Sequence, residues 1–544
     1  MNFLSKHPAA ALLVVGALCY LAFFHALGNY ALWDPDEGRS GVIAKEMLDS
    51  GEWSSLTLHG EPYYDKPAPY FWLLAVGLKT LGFNELALRL PSAIAASLTV
   101  ILVCLSAAAF WGWNRGVWVG LVLVGSVEFV ALGRFAKMDM VFNFFFTAAL
   151  LFFWWWKEQT KGKAWIWPFY LFLALAALAK GPVGLLLALL IVIITLGLEK
   201  RWELLRELRL LSGMAIFLLV SGSWYLWAAV QHPEYIWTFL WDHNVVRFFT
   251  TEGGIKHSEP VYFLVLVLIG GFLPWSLFLP AVLYSFWERR SEEGKTERLF
   301  LIVWVATILI FFSLSRNKLG TYVLPAFPPL ALLTGEVLER AVRGEELGWR
   351  RVWILYSSLG WFLLLFSLPA LSEWVLKPHF PRHFSSPPPL LPAAVFLVLG
   401  AIGWALGKKR WLPCLVAFSS LWLVLWFYGS RAPELFEVEG ARNLAEIVNR
   451  IEGKEYRLYA IRAESFSFYV TGHPVEVAPH PDFIITRLEE PIPTVALVKD
   501  KHVAELQRLS PAKLFVWKSF PFGHALVANF PPPPAQDLGS APKR

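Results

Sequence analysis

The chain has 544 residues, of which 56% are hydrophobic and only 17% are charged. A soluble protein of this length cannot bury so large an apolar fraction, so the composition indicates a polytopic membrane protein. The formal net charge of +6 does not indicate nucleic-acid binding, because the basic residues are grouped between apolar runs, where they act as topology signals. The three cysteines all lie within apolar runs, which argues against disulfides and thiolate metal sites.

About thirteen apolar runs reach roughly 17 residues or more, the length that crosses about 30 Å of hydrocarbon. They are predicted as transmembrane helices at about 8–27, 90–110, 115–132, 139–156, 164–180, 182–198, 209–229, 260–286, 299–315, 320–340, 351–371, 388–406 and 411–428. Segment 68–83 is shorter and carries Lys79, so it is predicted as a helix that lies on the membrane surface.

The short basic loops set the predicted orientation. With the N-terminus in the cytoplasm, nearly all of these loops fall on the cytoplasmic side, as the positive-inside rule requires. The first run is interpreted as an uncleaved anchor, because no small-residue cleavage site precedes the acidic stretch that follows it. The opposite face then receives loop 29–89, loop 230–259 and everything after about residue 429.

The last part of the chain changes character after the membrane portion, 1–428. Strand-like runs occur at 456–461, 465–470, 494–500 and 514–520, and helical patterns occur at 441–451 and 501–509. This pattern predicts a small α/β domain over 429–530 outside the membrane. The Pro-rich tail at 531–544 is predicted to be disordered.

Charged residues gather in five loops on the predicted outer face. The stretches are "DPDEGR" (34–39), "YYDKPAPY" (63–70), "RFAKMDM" (134–140), "WDHNVVRFF" (241–249) and "SRNKLGTYVLP" (315–325). Charged groups near the hydrocarbon boundary are costly, so they usually face a cavity and one another. Carboxylates, Lys, Arg, Tyr and His at the mouth of a helix bundle are suited to holding phosphates while a carboxylate acts nearby.

In this order, the five stretches resemble the signature segments of the ArnT family of lipid-to-lipid glycosyltransferases, which have the GT-C fold and are related to protein O-mannosyltransferases. The resemblance covers about residues 1–340, and the C-terminal domain matches only in position and general type. It implies an inverting transfer of 4-amino-4-deoxy-L-arabinose from undecaprenyl phosphate to a lipid A phosphate, at the periplasmic face of the bacterial inner membrane. One departure is "KPAP", which keeps Pro67 but moves the second proline of the family's Lys-Pro-Pro by one position.

The resemblance also implies roles for single residues. Asp36 is expected to be the catalytic carboxylate and Asp139 a second acid, with Glu37 in support; otherwise Asp36 would cap a helix or pair with Arg39, and Asp139 would cap the helix that follows it. The donor phosphate is expected to contact Lys66, Arg39, Arg247, Lys318 and Tyr322. Two of these have plainer alternatives, since Lys318 can be a snorkelling lysine at a helix end and Arg247 a contact to lipid headgroups.

A divalent metal such as zinc is a further expectation from the resemblance. Asp65 stands where the family places a carboxylate before the Lys-Pro lysine, and His243, or His257 in its place, would supply a nitrogen ligand from the later loop. Two ligands from different loops are weak grounds for a metal site, because a lone surface histidine is more often just solvated.

Other functions stay open at this point. A transferase of the same fold could deliver a polyprenyl-phosphate-linked sugar to a protein, another glycan or another lipid; a hydroxyl acceptor would then need a base, whereas a phosphate is already anionic. A transporter for a lipid-linked sugar would also need phosphate-binding cations, but such proteins commonly have repeated halves and broken helices, which the sequence does not show. A membrane scaffold would not need mixed charges in five loops at the membrane edge.

Overall fold

The structure is a computed structural model that describes residues 7–158, 163–246, 259–288, 295–344, 350–371, 390–405, 411–436, 440–451, 455–461, 464–509, 514–519 and 523–532. The helices of the first half are α1 (Pro8–Cys19), α2 (Asp36–Ser50), α3 (Pro69–Leu81), α4 (Glu85–Trp111), α5 (Trp113–Val124), α6 (Val127–Gly133), α7 (Met138–Lys157), α8 (Ile166–Lys180), α9 (Val183–Leu198), α10 (Leu204–Glu207), α11 (Leu210–Phe217), α12 (Ser223–Gln231) and α13 (Pro233–Ile236). They are followed by α14 (Phe263–Gly271), α15 (Leu279–Glu288), α16 (Lys295–Leu314), α17 (Phe327–Arg343), α18 (Arg350–Leu371), α19 (Leu390–Ala405), α20 (Leu412–Trp426) and α21 (Ala432–Phe436).

Every predicted apolar run contains a helix, which confirms the polytopic helical class. Within the described ranges, seven helices are long and apolar enough to cross a membrane, or up to nine if each of two bent pairs forms one span. Shorter apolar helices occur at Pro8–Phe24, Val183–Leu198 and Val352–Leu368.

Two apolar runs are broken, which the sequence analysis did not predict. Helices α5 and α6 meet at 73°, and α14 meets the helical stretch Trp275–Phe286 at 105°. The breaks fall at Gly125 and Pro274. A glycine or a proline ends a helix without lowering the hydropathy of its surroundings, so hydropathy alone does not reveal such a break.

Helix α3 occupies the segment that was predicted to lie on the membrane surface. It is 13 residues long and buries Tyr70, Phe71 and Leu74. It packs against α2, α4 and α8, and so supports the helix α2 that begins with the acidic motif. At about 1.5 Å per residue it spans only about 20 Å, which is too short to cross the bilayer.

A five-stranded sheet forms the core of the C-terminal region. Its strand order is β4-β3-β5-β7-β6, with β3 parallel to β4 and β5, and β7 antiparallel to β5 and β6. The strands are β3 (Arg457–Ala460), β4 (Glu476–Val477), β5 (Thr494–Lys499), β6 (Phe515–Ser519) and β7 (His524–Ala528); a hairpin of β1 (Thr57–Leu58) and β2 (Glu61–Pro62) lies earlier in the chain. The helices are α22 (Ala441–Asn449), α23 (Glu464–Tyr469), α24 (Pro481–Glu489) and α25 (Asp500–Leu509).

Most of the predicted elements of this region are present, but one is wrong and four elements were missed. Stretch 465–470 was predicted as a strand because serine and phenylalanine alternate in it, yet it forms helix α23. Strands β4 and β7 and helices α21 and α24 were not predicted. The tail 531–544 lies almost entirely outside the described residues.

Contacts with the acidic loop explain why the alternating stretch is helical. The Ser465 backbone N–H and hydroxyl both donate to the Asp34 carboxylate, at 2.8 and 2.5 Å, at the start of α23. At its other end, Lys45 Nζ of α2 donates to the Val470 carbonyl at 2.5 Å. An acid at the start and a cation at the end complement the helix dipole, so the tertiary contact outweighs the local pattern.

Helix α23 lies directly on a small-residue face of α2. A Cβ atom added at Gly38 would come within 2.3 Å of the Ser465 backbone nitrogen, and one at Gly41 within 2.7 Å of Phe468. These glycines permit the close approach, and the C-terminal region is thereby held against the helix that begins with the acidic motif.

Candidate active site

Asp36 is the first residue of α2, and its side chain is 42% exposed. Acidic residues in the first turn of a helix are favoured by the partial positive charge there. Lys137 Nζ lies 2.6 Å from Asp36 Oδ2, and Arg39 Nη1 lies 3.9 Å from Asp36 Oδ1. The predicted catalytic carboxylate is therefore solvent-accessible and held between two cations.

Lys137 connects this carboxylate with the second predicted acid. It precedes α7 directly, and it interacts electrostatically with both Asp36 and Asp139. The first outer loop and the turn before α7 thus meet at one lysine. Lys137 belongs to the charged stretch 134–140, in which a role was predicted only for Asp139.

Asp139 lies in the first turn of α7 and pairs with a residue that sequence analysis missed. Lys180 Nζ, at the end of α8, lies 2.6 Å from Asp139 Oδ1. Both side chains are mostly buried, at 14% and 13% exposed. Lys180 Nζ also lies 5.0 Å from the centroid of the Tyr322 ring, within cation–π distance. A charged residue at the end of an apolar run was the available signal.

Glu37 is fully buried and occupied by structural contacts. Arg89 Nε and Nη2 bind its two carboxylate oxygens at 2.8 and 2.7 Å. The backbone N–H groups of Trp33 and Ala136 donate to the same carboxylate at 3.0 and 2.8 Å. Glu37 therefore ties α2 to α4 and to the turn before α7, and its carboxylate faces the scaffold, away from the exposed side of Asp36.

All five N–H groups of the Arg89 guanidinium have hydrogen-bond acceptors. Its remaining N–H groups donate to the carbonyl oxygens of Leu27, Tyr30 and Ala31 at 2.8 to 3.1 Å. The guanidinium carbon lies 3.9 Å from the centroid of the Tyr30 ring. A buried charge is tolerated when it is paired and hydrogen-bonded in this way.

Arg39 brings the C-terminal region to the rim of the site. Its Nη2 atom lies 3.6 Å from Glu464 Oε1, and the Tyr63 hydroxyl is a further hydrogen-bond partner. The other oxygen of Glu464, Oε2, is buried and has no hydrogen-bond partner among the residues that the structure describes. Glu464 was not predicted, because no motif in the C-terminal region marks it.

Lys66 lies where the first outer loop meets α12 and α13. It lines a small cavity of about 10 Å³ together with Tyr64, His232 and Tyr235. The Tyr64 hydroxyl donates to Glu234 Oε1 at 2.6 Å. Burial, with the hydrogen bond to Glu234, raises the pKa of Tyr64 to about 12, so the phenol keeps its proton at neutral pH.

The remaining predicted phosphate ligands are placed less directly. Lys318 is buried, and its Nζ atom donates to the Glu259 carbonyl oxygen at 2.9 Å. Tyr322 lies in the helical turn Gly320–Ala326, beside Lys180. Arg247 and His257 lie outside the described residues, as does the side chain of His243.

The described residues do not form a metal site. In the part of the chain that the structure describes, no three His, Cys, Asp or Glu side chains are grouped closely enough to hold a metal ion. Asp65, the predicted carboxylate ligand, lies next to Lys66 on the first outer loop.

The geometry thus joins two acid–cation groups at one end of the helix bundle. One contains Asp36, Arg39 and Lys137, and the other contains Asp139 and Lys180. Carboxylates beside fixed cations can stabilise positive charge that develops on a substrate, and the cations can bind an anionic group of the substrate.

Comparisons with known proteins show which family the chain is similar to. Residues 9–236 match the family model of dolichyl-phosphate-mannose-protein mannosyltransferases. The undecaprenyl phosphate-alpha-4-amino-4-deoxy-L-arabinose arabinosyl transferase of Pseudomonas aeruginosa is 31% identical over 496 residues, which cover 84% of this chain and 86% of that protein. A similarly named protein of Pseudomonas fluorescens is 32% identical, over 73% of this chain and 70% of its own.

Solved structures show the same fold. The crystal structure of ArnT from Cupriavidus metallidurans bound to undecaprenyl phosphate superposes with a TM-score of 0.77 at 23% identity, covering 97% of this chain and 99% of that one. The oligosaccharyltransferase of Archaeoglobus fulgidus in the apo form has a TM-score of 0.50 at 11% identity, covering 90% and 70%. The predicted GT-C membrane fold is confirmed.

Proposed function

Because the chain belongs to the ArnT family of arabinosyl transferases, we propose that it moves 4-amino-4-deoxy-L-arabinose from undecaprenyl phosphate to a phosphate of lipid A. It is a membrane glycosyltransferase of the GT-C fold that uses a polyprenyl-phosphate-linked sugar as donor. The observation that carries the specific proposal is the exposed Asp36 carboxylate, held by Lys137 at 2.6 Å and linked through that lysine to Asp139.

The reaction is a single displacement at the anomeric carbon. An acceptor oxygen attacks one face of this carbon while the bond to the phosphate oxygen of the lipid donor breaks on the other, so the configuration inverts. The leaving oxygen keeps the bonding electrons, and the sugar passes through a state with oxocarbenium character. Asp36 is proposed to stabilise the positive charge of that state, because its carboxylate is exposed and lies beside two cations.

The cations are proposed to hold the two phosphates. Arg39 and Lys137 flank Asp36, and Lys66 lies on the same loop beside α12 and α13. Fixed cations at the leaving phosphate stabilise the charge that builds there as well as binding the donor. Lys318 can join them, because a lysine has three N–H donors and its bond to the Glu259 carbonyl uses one.

Asp139 is proposed to act through position and charge. Its pairing with Lys180 and its low exposure do not suit a group that must collect a proton from the acceptor. A phosphate acceptor needs no such base, because it is anionic at neutral pH. The chemistry of this pair therefore favours a phosphate on lipid A over a hydroxyl group.

A second candidate is transfer of a polyprenyl-linked sugar to a protein. It is supported by the match of residues 9–236 to protein mannosyltransferases, whose acceptor is a protein. In that reaction a base would have to accept the hydroxyl proton, and Asp36 is the more exposed of the two acids.

The orientation is also part of the proposal. The basic loops favour a cytoplasmic N-terminus, which would put Asp36, Asp139 and the C-terminal region on the periplasmic side of the inner membrane. Lipid A phosphates and the donor phosphate would then be reached from the same membrane surface.

Mass spectrometry of lipid A tests the proposal. Cells that express the chain are expected to carry lipid A with the added mass of one aminoarabinose, and cells that express Asp36→Asn are expected to lack it. Asp49→Asn is the matched control, because Asp49 lies on the same helix and is exposed at its far end. Unchanged lipid A together with altered glycoproteins would contradict the proposal and favour the second candidate.

A further inference from the structure

An apolar groove lies between α15, α16 and α17, away from the candidate active site. Its cavity volume is about 220 Å³, and most of its lining side chains are aliphatic, including Leu279, Val282, Ile302, Val305, Leu330 and Val337. Two of these helices, α16 and α17, belong to candidate membrane spans, and α15 is the second limb of the pair bent at 105°. No part of the proposed sugar transfer uses it.

The directions of the helices place the groove relative to the active site. Helix α16 runs from Lys295 to Leu314, and the turn that follows it carries Lys318 and Tyr322 of the active-site end. Its lining residues begin near the Lys295 end, with Arg298. The polar end of the groove therefore lies at the membrane face opposite the active site.

The length of the groove matches one leaflet of the bilayer. Arg298, Ile302, Val305 and Leu309 line it at intervals of three and four residues, which places them on one face of α16. Between Arg298 and Leu309 the helix rises about 16 Å, at 1.5 Å per residue. The hydrocarbon core is about 30 Å thick, so the groove extends from one surface to about the midplane.

Among the described residues that line the groove, the charged ones lie at one end of it. Arg298 Nη1 lies 3.5 Å from Glu336 Oε1 there, and both side chains are buried. Lys295 stands one helical turn before Arg298, on the same face of α16, and is exposed. An exposed cation therefore lies one helical turn beyond the Arg298 end of the groove.

We propose that this groove binds one acyl chain of an anionic glycerophospholipid from the leaflet opposite the active site, with its headgroup phosphate facing Lys295. An acyl chain matches the aliphatic lining of the groove, and its headgroup would lie beyond the Arg298 end, beside the exposed Lys295. The bound lipid braces α16 and α17, whose connecting turn carries Tyr322 of the active-site end.

Native mass spectrometry of the full chain in a mild detergent tests this assignment. The unmodified protein is expected to retain one phospholipid, and Ala306→Trp is expected to retain none, because Ala306 lines the groove and an indole would fill it. Leu219→Trp is the matched control, since Leu219 is 74% exposed on another span and lies outside the groove.

Lys295→Gln tests the headgroup contact and is independent of any packing defect. The preference for phosphatidylglycerol over phosphatidylethanolamine, titrated against the purified chain, is expected to fall about fivefold, the ratio that corresponds to ~1 kcal/mol per basic residue near an anionic surface. Because Lys295 is exposed, this variant is expected to fold normally.

Three results would overturn the inference. The first is retention of the same phospholipid by Ala306→Trp, and the second is an unchanged headgroup preference in Lys295→Gln. The third is a retained mass that belongs to a polyprenyl phosphate instead of a phospholipid. If Ala306→Trp does not fold, the Lys295→Gln titration alone decides the question.

Discussion

Glu37 is buried and the adjacent Asp36 is exposed, so neutralising each acid in turn distinguishes a structural role from a role in the reaction. Glu37→Gln leaves the Arg89 guanidinium buried without a counter-ion, because Glu37 is its carboxylate partner at 2.7 Å. Breaking a buried ion pair from one side costs about 3–5 kcal/mol of unfolding free energy. Asp36→Asn removes a partner of Lys137 at a site where the carboxylate is 42% exposed, so the stability cost is about 0–1 kcal/mol.

Glu37→Gln is expected to lower stability and keep activity, and Asp36→Asn is expected to keep stability and lower activity. Thermal unfolding in detergent, followed by tryptophan fluorescence, should show a clearly lower midpoint for Glu37→Gln and little change for Asp36→Asn. Sugar transfer per folded molecule, measured well below the midpoint, should be largely kept in Glu37→Gln. In Asp36→Asn it should fall about 10²–10³-fold, the usual cost of removing one group that stabilises developing charge.

A particular pattern would refute this assignment of roles. If Glu37→Gln were as stable as the parent but inactive, Glu37 would act on the substrate, and its buried contacts would not be its main role. If Asp36→Asn transferred sugar at the parental rate, the exposed carboxylate would have no part in the reaction, and the proposed mechanism would lose its central group.

The other predictions concern contacts around the site. Lys180→Met removes the ammonium group beside Asp139. In steady-state kinetics, kcat should then fall about 10²-fold with little change in the KM for the donor. A kcat equal to that of the parent would mean that the pair is only structural. Asp34→Ala removes both hydrogen bonds from Ser465 to the Asp34 carboxylate, and a hydrogen bond to a charged group contributes about 1.5–3 kcal/mol. Limited proteolysis should therefore release the C-terminal region faster, and unchanged cleavage would refute the docking role. Tyr64→Phe removes a hydrogen bond worth about 1 kcal/mol between two outer loops, so the donor KM should rise roughly fivefold while kcat is kept; a loss of kcat alone would contradict this.

The membrane part of the fold could be predicted because hydrophobic length is a local property. A run of apolar residues long enough to cross the bilayer is visible without any knowledge of its neighbours. The breaks at Gly125 and Pro274 were not visible in this way, because they change direction without changing hydropathy. Strand β7 is buried at all five positions, so it lacks the alternation that marks a half-exposed strand.

Helix α23 shows the limit of local patterns most clearly. Its alternating serine and phenylalanine residues favour a strand by period, and its six residues are too few to favour a helix alone. What stabilises it lies more than 400 residues away, in Asp34 at its start and Lys45 at its end. No window of sequence contains both partners of such a contact.

The same limit applies to the active-site residues. Acids and cations that lie together in short motifs could be predicted, because a resemblance to a family is recognised from contiguous residues. Lys180 and Glu464 were not, since each is an isolated charge whose partner comes from another element. The pairing of Arg89 with Glu37 was missed for the same reason, although its position at the edge of an apolar run was a signal.

The two adjacent acids of the motif, Asp36 and Glu37, therefore have different roles, one in the proposed reaction and one in the structure. Successive residues of a helix point about 100° apart, so Asp36 and Glu37 leave α2 in different directions. Glu37 is directed into the protein, where Arg89 and two backbone N–H groups use its carboxylate completely. Asp36 is directed outward, where Lys137 and Arg39 hold it without covering it. The buried acid fixes the helix so that the exposed acid, one residue earlier, is presented at a constant position to the sugar.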